Sequence, residues 1–300
     1  MNSQAAEADR RPAGDRSSSA ARTRNELRRL GVRADKRLGQ HFLIDPTVLE
    51  RIIEAADLKP SDTIVEVGPG IGILTEELVR RAGRVVAVEI DSKLADVLRR
   101  NLHAFSNLMV VNANILDVAP EQLIAGDKRG ETRYKVVANL PYYIATPILR
   151  HFLESSLKPE SMVLMVQKEV GQSMSAGPGA MSLLSIAIQL YGKPTVIDYA
   201  PRRSFYPEPK VDSAIVRIDV YAKPSVDVPD IEGFFELVKA GFSAPRKQIR
   251  NALAIGLSRP PTHIVRLLQD ARIDPHRRPE TLSLQEWARL YIVYAGILQQ

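Results

Sequence analysis

Apolar and polar positions along this chain follow two periods, and the order in which the periods alternate predicts an α/β fold. Residues 48–56 place apolar side chains at helical spacing after Pro46. Residues 64–67 form a short apolar run closed by glycines, the mark of a strand buried on both faces. Helical spacing returns over 74–81 and 94–102, with strands predicted at 85–89 and 108–111. Segments 134–138, 162–166, 195–199 and 214–220 read as further strands. Strands separated by helices of this length imply a mostly parallel sheet with helices on both faces. Residues 222–229 contain two prolines and little that could pack, so they read as a linker. Beyond it, 234–242, 248–257, 262–270 and 284–294 have helical periodicity, which predicts a small all-α C-terminal domain containing Trp287 in its core. The first 25 or so residues are rich in Ala, Ser and Arg without an apolar period and are expected to be disordered. Glu7, Asp9 and Asp15 argue against an organelle-targeting peptide there. The expected organisation is a basic tail over 1–35, an α/β domain over 36–222 and a helical domain over 223–300.

Composition narrows this picture. Hydrophobic residues make up 45%, enough for a sizeable core, yet no apolar run has the length of a membrane span. There is no cysteine, which excludes disulfides, thiolate metal sites and a cysteine nucleophile, and fits a cytoplasmic location. The five histidines lack ligand spacing, so no metal site is expected. The net charge of +6 is unevenly spread: residues 1–37 carry 10 basic and 5 acidic side chains, 38–222 carry 20 and 22, and 223–300 carry 11 and 8. Positive flanks around a near-neutral body suit a polyanionic partner. Arg246, Lys247 and Arg250 open a predicted helix, where they could meet phosphates together with its N-terminal amides. Arg202 and Arg203 are the other phosphate candidates.

Two segments carry candidate chemistry. Glu66-Val-Gly68-Pro-Gly70-Ile-Gly72 lies between a predicted strand and a helix, where a tight turn lets a ligand approach the backbone. The dinucleotide fingerprint spaces its last two glycines three apart; here they are two apart, which favours a turn holding an amino-acid nucleoside. Glu89 ends the next strand, placed to accept ribose hydroxyls. Asn139-Leu-Pro-Tyr142 follows the strand predicted at 134–138. An adenine amine is a poor nucleophile because its lone pair is delocalised into the ring. The Asn139 side-chain oxygen and the Leu140 carbonyl could accept its two N–H bonds and localise that pair. Pro141 stiffens the turn, and Tyr142 offers a face for the base.

With Lys36-Arg-Leu-Gly-Gln-His-Phe-Leu43, Val65-Glu-Val-Gly-Pro-Gly70, Asn139-Leu-Pro-Tyr142, Gln167-Lys-Glu169, Phe205-Tyr-Pro-Glu-Pro-Lys-Val-Asp-Ser213 and Arg246-Lys-Gln-Ile-Arg-Asn-Ala252, the chain resembles the KsgA family of ribosomal RNA adenine dimethyltransferases. The resemblance spans residues 36–294. It implies a Rossmann-like class I methyltransferase fold using S-adenosylmethionine. It further implies dimethylation of two neighbouring adenines in the 3′-terminal hairpin of 16S rRNA, by a monomer acting on an immature 30S particle and no membrane. Cofactor positions carry over to His41, Leu43, Gly68, Gly70, Glu89, Asn114 and Asn139, and Phe205 matches the aromatic that closes over the base opposite Tyr142. Asn114 stands where the family usually has Asp, which implies weaker cofactor binding. Two other readings compete: an assembly or transcription factor keeping the fold with little catalysis, and an enzyme of the large-subunit, macrolide-resistance kind.

Overall fold

The computed structural model describes residues 38–125 and 133–298, together with Asn25 and Leu27. In chain order the first half contains β1 (Phe42–Leu43), α1 (Pro46–Ala56), β2 (Thr63–Val67), α2 (Ile73–Arg81), β3 (Arg84–Glu89), α3 (Ser92–Asn101), β4 (Leu108–Asn112), α4 (Pro120–Ile124), β5 (Lys135–Asn139) and α5 (Ala145–Leu153). There follow β6 (Ser161–Gln167), α6 (Lys168–Met174), α7 (Leu183–Tyr191), β7 (Gly192–Ala200), β8 (Phe205–Tyr206), β9 (Ser213–Val220), α8 (Ile231–Phe242), α9 (Ile249–Gly256), α10 (Pro261–Asp270) and α11 (Leu284–Leu298).

Seven strands form one sheet in the order β4-β3-β2-β5-β6-β9-β7. The first five are parallel; β9 runs antiparallel to both β6 and β7. Alternate residues of the central strands point to opposite faces, as the pleat requires. Ile64, Val85, Val137 and Val163 pack beneath α1 and α2, while Val65, Val86, Val136 and Met162 pack with α5 and α7. Both faces are covered, so the central strands read as continuous apolar runs. Edge strand β7 instead alternates between more and less exposed positions.

Helices α5, α6 and α7 occupy stretches left unassigned by the sequence pattern. Leu183–Tyr191 is apolar nearly all round, because it is covered by the sheet on one side and the C-terminal helices on the other, so it shows little amphipathic period. Residues 222–229 are less free than a linker would be: Ser225 N–H donates to the Leu190 carbonyl and its hydroxyl to that of Gln189, both at 2.8 Å. The buried core runs unbroken from β6 and β9 to Phe234, Leu237 and Trp287. Trp287 is fully buried, as expected, and stacks on Phe242 at 5.6 Å.

The expected tail needs correction at one point. Leu27 is helical and 4% exposed, packed with Phe42, Ile71, Leu94 and Val97, so the chain before residue 36 contributes to the core. Apart from Leu27 and the exposed Asn25, the 1–35 segment lies outside the described residues, as do Lys36 and Arg37 of the first family motif.

Candidate active site

A cavity of about 1060 Å³, counting the part open to solvent, lies outside the carboxyl ends of β2, β3 and β5. Open α/β sheets bind ligands at this edge, in the crevice where the strand order reverses, which here is between β2 and β5. His41, Leu43, Gly68, Gly70, Glu89, Asn114, Asn139, Leu140 and Tyr142 all line it. Nine of the ten positions expected in the reaction centre and cofactor site are therefore brought together.

The turn after β2 explains its glycines. Gly68, Gly70 and Gly72 have φ of +69°, +60° and +93°, a region strained for L side chains. A Cβ on Gly70 would stand 3.0 Å from the Phe42 ring. One on Gly68 would meet no atom within 4 Å and would project into open space. The bare backbone at Gly68 is thus room left on the cavity wall.

Two carboxylates stand beside this turn. Glu89 is 3% exposed; its Oε2 accepts the Gly70 N–H and its Oε1 the Asp91 N–H, each at 3.0 Å. Burial raises its pKa, and these backbone bonds pull it part of the way back. Glu66, 1% exposed in the middle of β2, lacks such support. Its Oε2 is buried without a hydrogen-bond partner, as is Thr75 Oγ1. Burial pushes the Glu66 pKa up to about 8, offset in part by the nearby Thr75 hydroxyl and added to by the Glu89 charge.

At the end of β5, Asn139 Nδ2 donates to the His41 carbonyl at 3.0 Å. A carbonyl has no proton to give, so the amino end of Asn139 must face it and Oδ1 is turned away. The next amide, Leu140 N–H, donates to the Met165 carbonyl at 3.2 Å, which orients that peptide against β6. The Tyr142 hydroxyl is 2.7 Å from Ser213 Oγ, and burial raises its pKa.

Phe205 is the one expected position that does not line the cavity. It is 2% exposed, pairs with Leu43 in the β1–β8 ribbon, and belongs to a core cluster rather than to the cavity wall. The ring beside Tyr142 is His41, with centroids 5.8 Å apart and planes at 25°. His41 Nδ1–H donates to the Pro207 carbonyl at 2.6 Å, so the 205–213 motif braces the His41 loop instead of supplying a ring in this conformation.

Asn114 lies on the cavity wall, with its carboxamide engaged at both ends. Oδ1 caps the following turn by accepting Leu116 N–H, and Nδ2 donates to Asp117 Oδ2, both at 3.2 Å. An amide oxygen has a second lone pair, so capping leaves one acceptor position.

The basic candidates lie apart from the cavity wall. Arg246 and Lys247 are exposed and Arg250 half-buried. The expected use of helix N-terminal amides is not available at the first two positions: Ile249 N–H already donates to the Arg277 carbonyl and Arg250 N–H to that of Pro275. Arg203 is exposed, whereas Arg202 pairs with Glu208 at 2.8 Å and is partly neutralised. Among the described residues no group of acidic and histidine side chains could hold a metal ion, and no helix is long and apolar enough to cross a membrane.

Sequence reasoning assigned no role to Glu66 or Tyr143, although both line the cavity. The signal for Glu66 was a carboxylate inside an otherwise apolar strand. Tyr143 carries no comparable signal, since its exposure depends on the turn.

Residues 31–295 match the family model described as ribosomal RNA adenine dimethylase. The chain belongs to this family. It shares 49% identity over 265 residues with Ribosomal RNA small subunit methyltransferase A of Dehalococcoides mccartyi, covering 88% of this chain and 90% of that protein. Identity is 43% over 279 residues to the protein of the same name from Alkaliphilus metalliredigens, covering 92% and 97%. Among solved structures, the 23S rRNA methyltransferase ErmE superposes with a TM-score of 0.66 at 29% identity, covering 84% of this chain and 98% of that one. A dimethyladenosine transferase from Plasmodium falciparum gives 0.71 at 24%, covering 85% and 98%, a likeness of fold. The sheet and its flanking helices are those of a class I methyltransferase, and membership in the adenine dimethylase family makes the chain an enzyme acting on ribosomal RNA.

Proposed function

We propose that this enzyme dimethylates N6 of two adjacent adenines in the 3′-terminal hairpin of 16S rRNA, using S-adenosylmethionine, as a cytoplasmic monomer acting on an immature 30S particle. The observation carrying this reading is the orientation of Asn139, whose Nδ2 is held by the His41 carbonyl at 3.0 Å so that Oδ1 is turned away from it.

The cavity suits an amino-acid nucleoside. A partnerless buried acceptor, Glu66 Oε2, stands in its wall, and the missing Cβ of Gly68 leaves space beside it. His41, Leu43, Gly68, Gly70, Glu89, Asn114 and Asn139 would hold the cofactor, with Glu89 toward the ribose and Asn114 toward the adenine. When bound, S-adenosylmethionine supplies a methyl group on a sulfonium sulfur, open to displacement by a nitrogen lone pair.

The chain's own residues prepare that nitrogen. Asn139 Oδ1 and the Leu140 carbonyl accept the two N–H bonds of the adenine amine and localise its lone pair. Tyr142, anchored through Ser213, supports the base. Fixing the amine in place can supply up to about 7–11 kcal/mol of the barrier, and the methylated nitrogen releases its proton to solvent without a strong base. The domains follow the same division: 36–222 for chemistry and 223–300, with Arg246, Lys247 and Arg250, for grip on rRNA phosphates, assisted by Arg202 and Arg203.

Asn139→Ala tests the assignment. On immature small subunits with labelled cofactor, methyl transfer should fall by about 100-fold or more, as when one preorganised polar group is removed from an active site, while particle binding is kept. Normal transfer by this variant would sink the mechanism.

A further inference from the structure

We propose that Tyr143 is a stacking platform for the nucleobase next to the target adenine, so that two successive residues of one turn hold two successive bases of the substrate. The inference rests on the adenine-methylating reading of the cavity.

Tyr142 and Tyr143 follow Pro141 but meet different surroundings. The Tyr142 hydroxyl is fixed by Ser213 and its ring lies against His41. Tyr143 is 59% exposed, the most exposed of the large apolar and aromatic side chains among the described residues. It lines the cavity, and its hydroxyl makes no hydrogen bond to a described residue. An exposed ring normally gains by folding back onto the surface.

Tyr143 is supported without being covered. Gly39 has φ +58°, and a Cβ built there would stand 3.2 Å from Tyr143 Cδ1 and 3.4 Å from Cε1. The ring therefore rests against the bare backbone of the loop that also presents His41. Support from behind leaves aromatic surface facing outward at the mouth of the cavity.

RNA chemistry gives that surface an occupant. Drawing one adenine into a pocket unstacks it from its neighbour, which is left with an uncovered face. An aromatic side chain can replace the lost partner, and stacking of this kind tolerates any base because every base has a π-face. Successive Cα atoms are about 3.8 Å apart, so the two tyrosines are neighbours in the protein as the two adenines are in the strand. After the first adenine is dimethylated, the base resting on Tyr143 is already unstacked and close to the cavity.

The test uses the full-length protein and immature small subunits in which 2-aminopurine replaces one of the two adjacent adenines. With S-adenosylhomocysteine present, wild type should keep the 2-aminopurine fluorescence quenched as the other adenine is extruded. Tyr143→Ala should leave it bright, and Tyr143→Phe should quench as wild type does. On unmodified particles, Tyr143→Ala should raise KM by between about 5- and 150-fold, the range expected for losing one stacked base, with a smaller change in kcat. An unchanged melting temperature would show that the alanine variant is folded. If Tyr143→Ala matches wild type in both fluorescence and KM, the platform role is wrong while the catalytic reading stands. If wild-type protein transfers no methyl groups to unmodified particles, the catalytic reading fails and takes this inference with it.

Discussion

Glu66 occupies an unusual position for a carboxyl group: the centre of a parallel sheet, fully buried, with one oxygen unpartnered. A buried carboxylate without hydrogen bonds is costly, so the group keeps its proton to about pH 8. In the unfolded chain it ionises near the ordinary carboxylate pKa of about 4.3. Between these values the unfolded state binds fewer protons than the folded one, so ionisation of the unfolded chain draws the equilibrium toward unfolding. The stabilising contribution is complete below about pH 4.3 and is lost progressively up to about pH 8, at roughly 1.4 kcal/mol per pH unit. Glu66→Gln, which mimics the protonated form, should remove this dependence. Denaturant midpoints should show wild type and variant closest near pH 5, with the variant more stable at pH 8. Parallel pH profiles for the two proteins would show that Glu66 titrates normally in the fold.

At the scale of elements, the C-terminal helices depend on glycines for their closeness. A Cβ on Gly256 of α9 would lie 2.4 Å from the Ala240 carbonyl oxygen and 2.5 Å from its Cα, both backbone atoms of α8 that cannot rotate away. A Cβ on Gly241 would stand 2.2 Å from the Trp287 ring. The helices cross where small residues let their backbones touch, and Trp287 fills the space beside them. Gly256→Ala should therefore cost about 1–3 kcal/mol through overpacking, despite alanine's higher helix propensity. The adjacent Ile255 is 53% exposed, and Ile255→Ala should change stability by no more than about 0.5 kcal/mol. Thermal melts of the two variants make the comparison. Equal melting temperatures would mean that α8 and α9 can move apart at little cost.

For the whole molecule, the unequal distribution of charge concerns the partner rather than the fold. Arg246, Lys247 and Arg250 form no ion pair with a described residue, so their charges are not neutralised within that part of the protein. Replacing all three with alanine should weaken binding to immature subunits and make the salt dependence shallower, by about 2–3 in the slope of log K against log salt. Binding of S-adenosylhomocysteine should be unaffected, because none of the three residues lines the cavity. A slope equal to that of wild type would remove this stretch from the rRNA interface.

The local sequence determined the central strands, the glycine turn and the Asn139 turn, because burial on both faces, positive φ and strand-end geometry each restrict the residues that can occupy a position. Ile64, Gly68 and Asn139 could be read without knowing their neighbours in space. It did not determine that β9 inserts between β6 and β7, since an apolar strand can pair with more than one partner. Nor did it show that residues 41–43 meet 205–207, that His41 turns Asn139, or that Phe205 is buried while Tyr143 is exposed. Those are contacts between residues distant in the chain, or the outcome of which side chain a turn leaves outside. Hydrophobic periodicity records how deeply a segment is buried; only the folded structure decides what each segment is buried against.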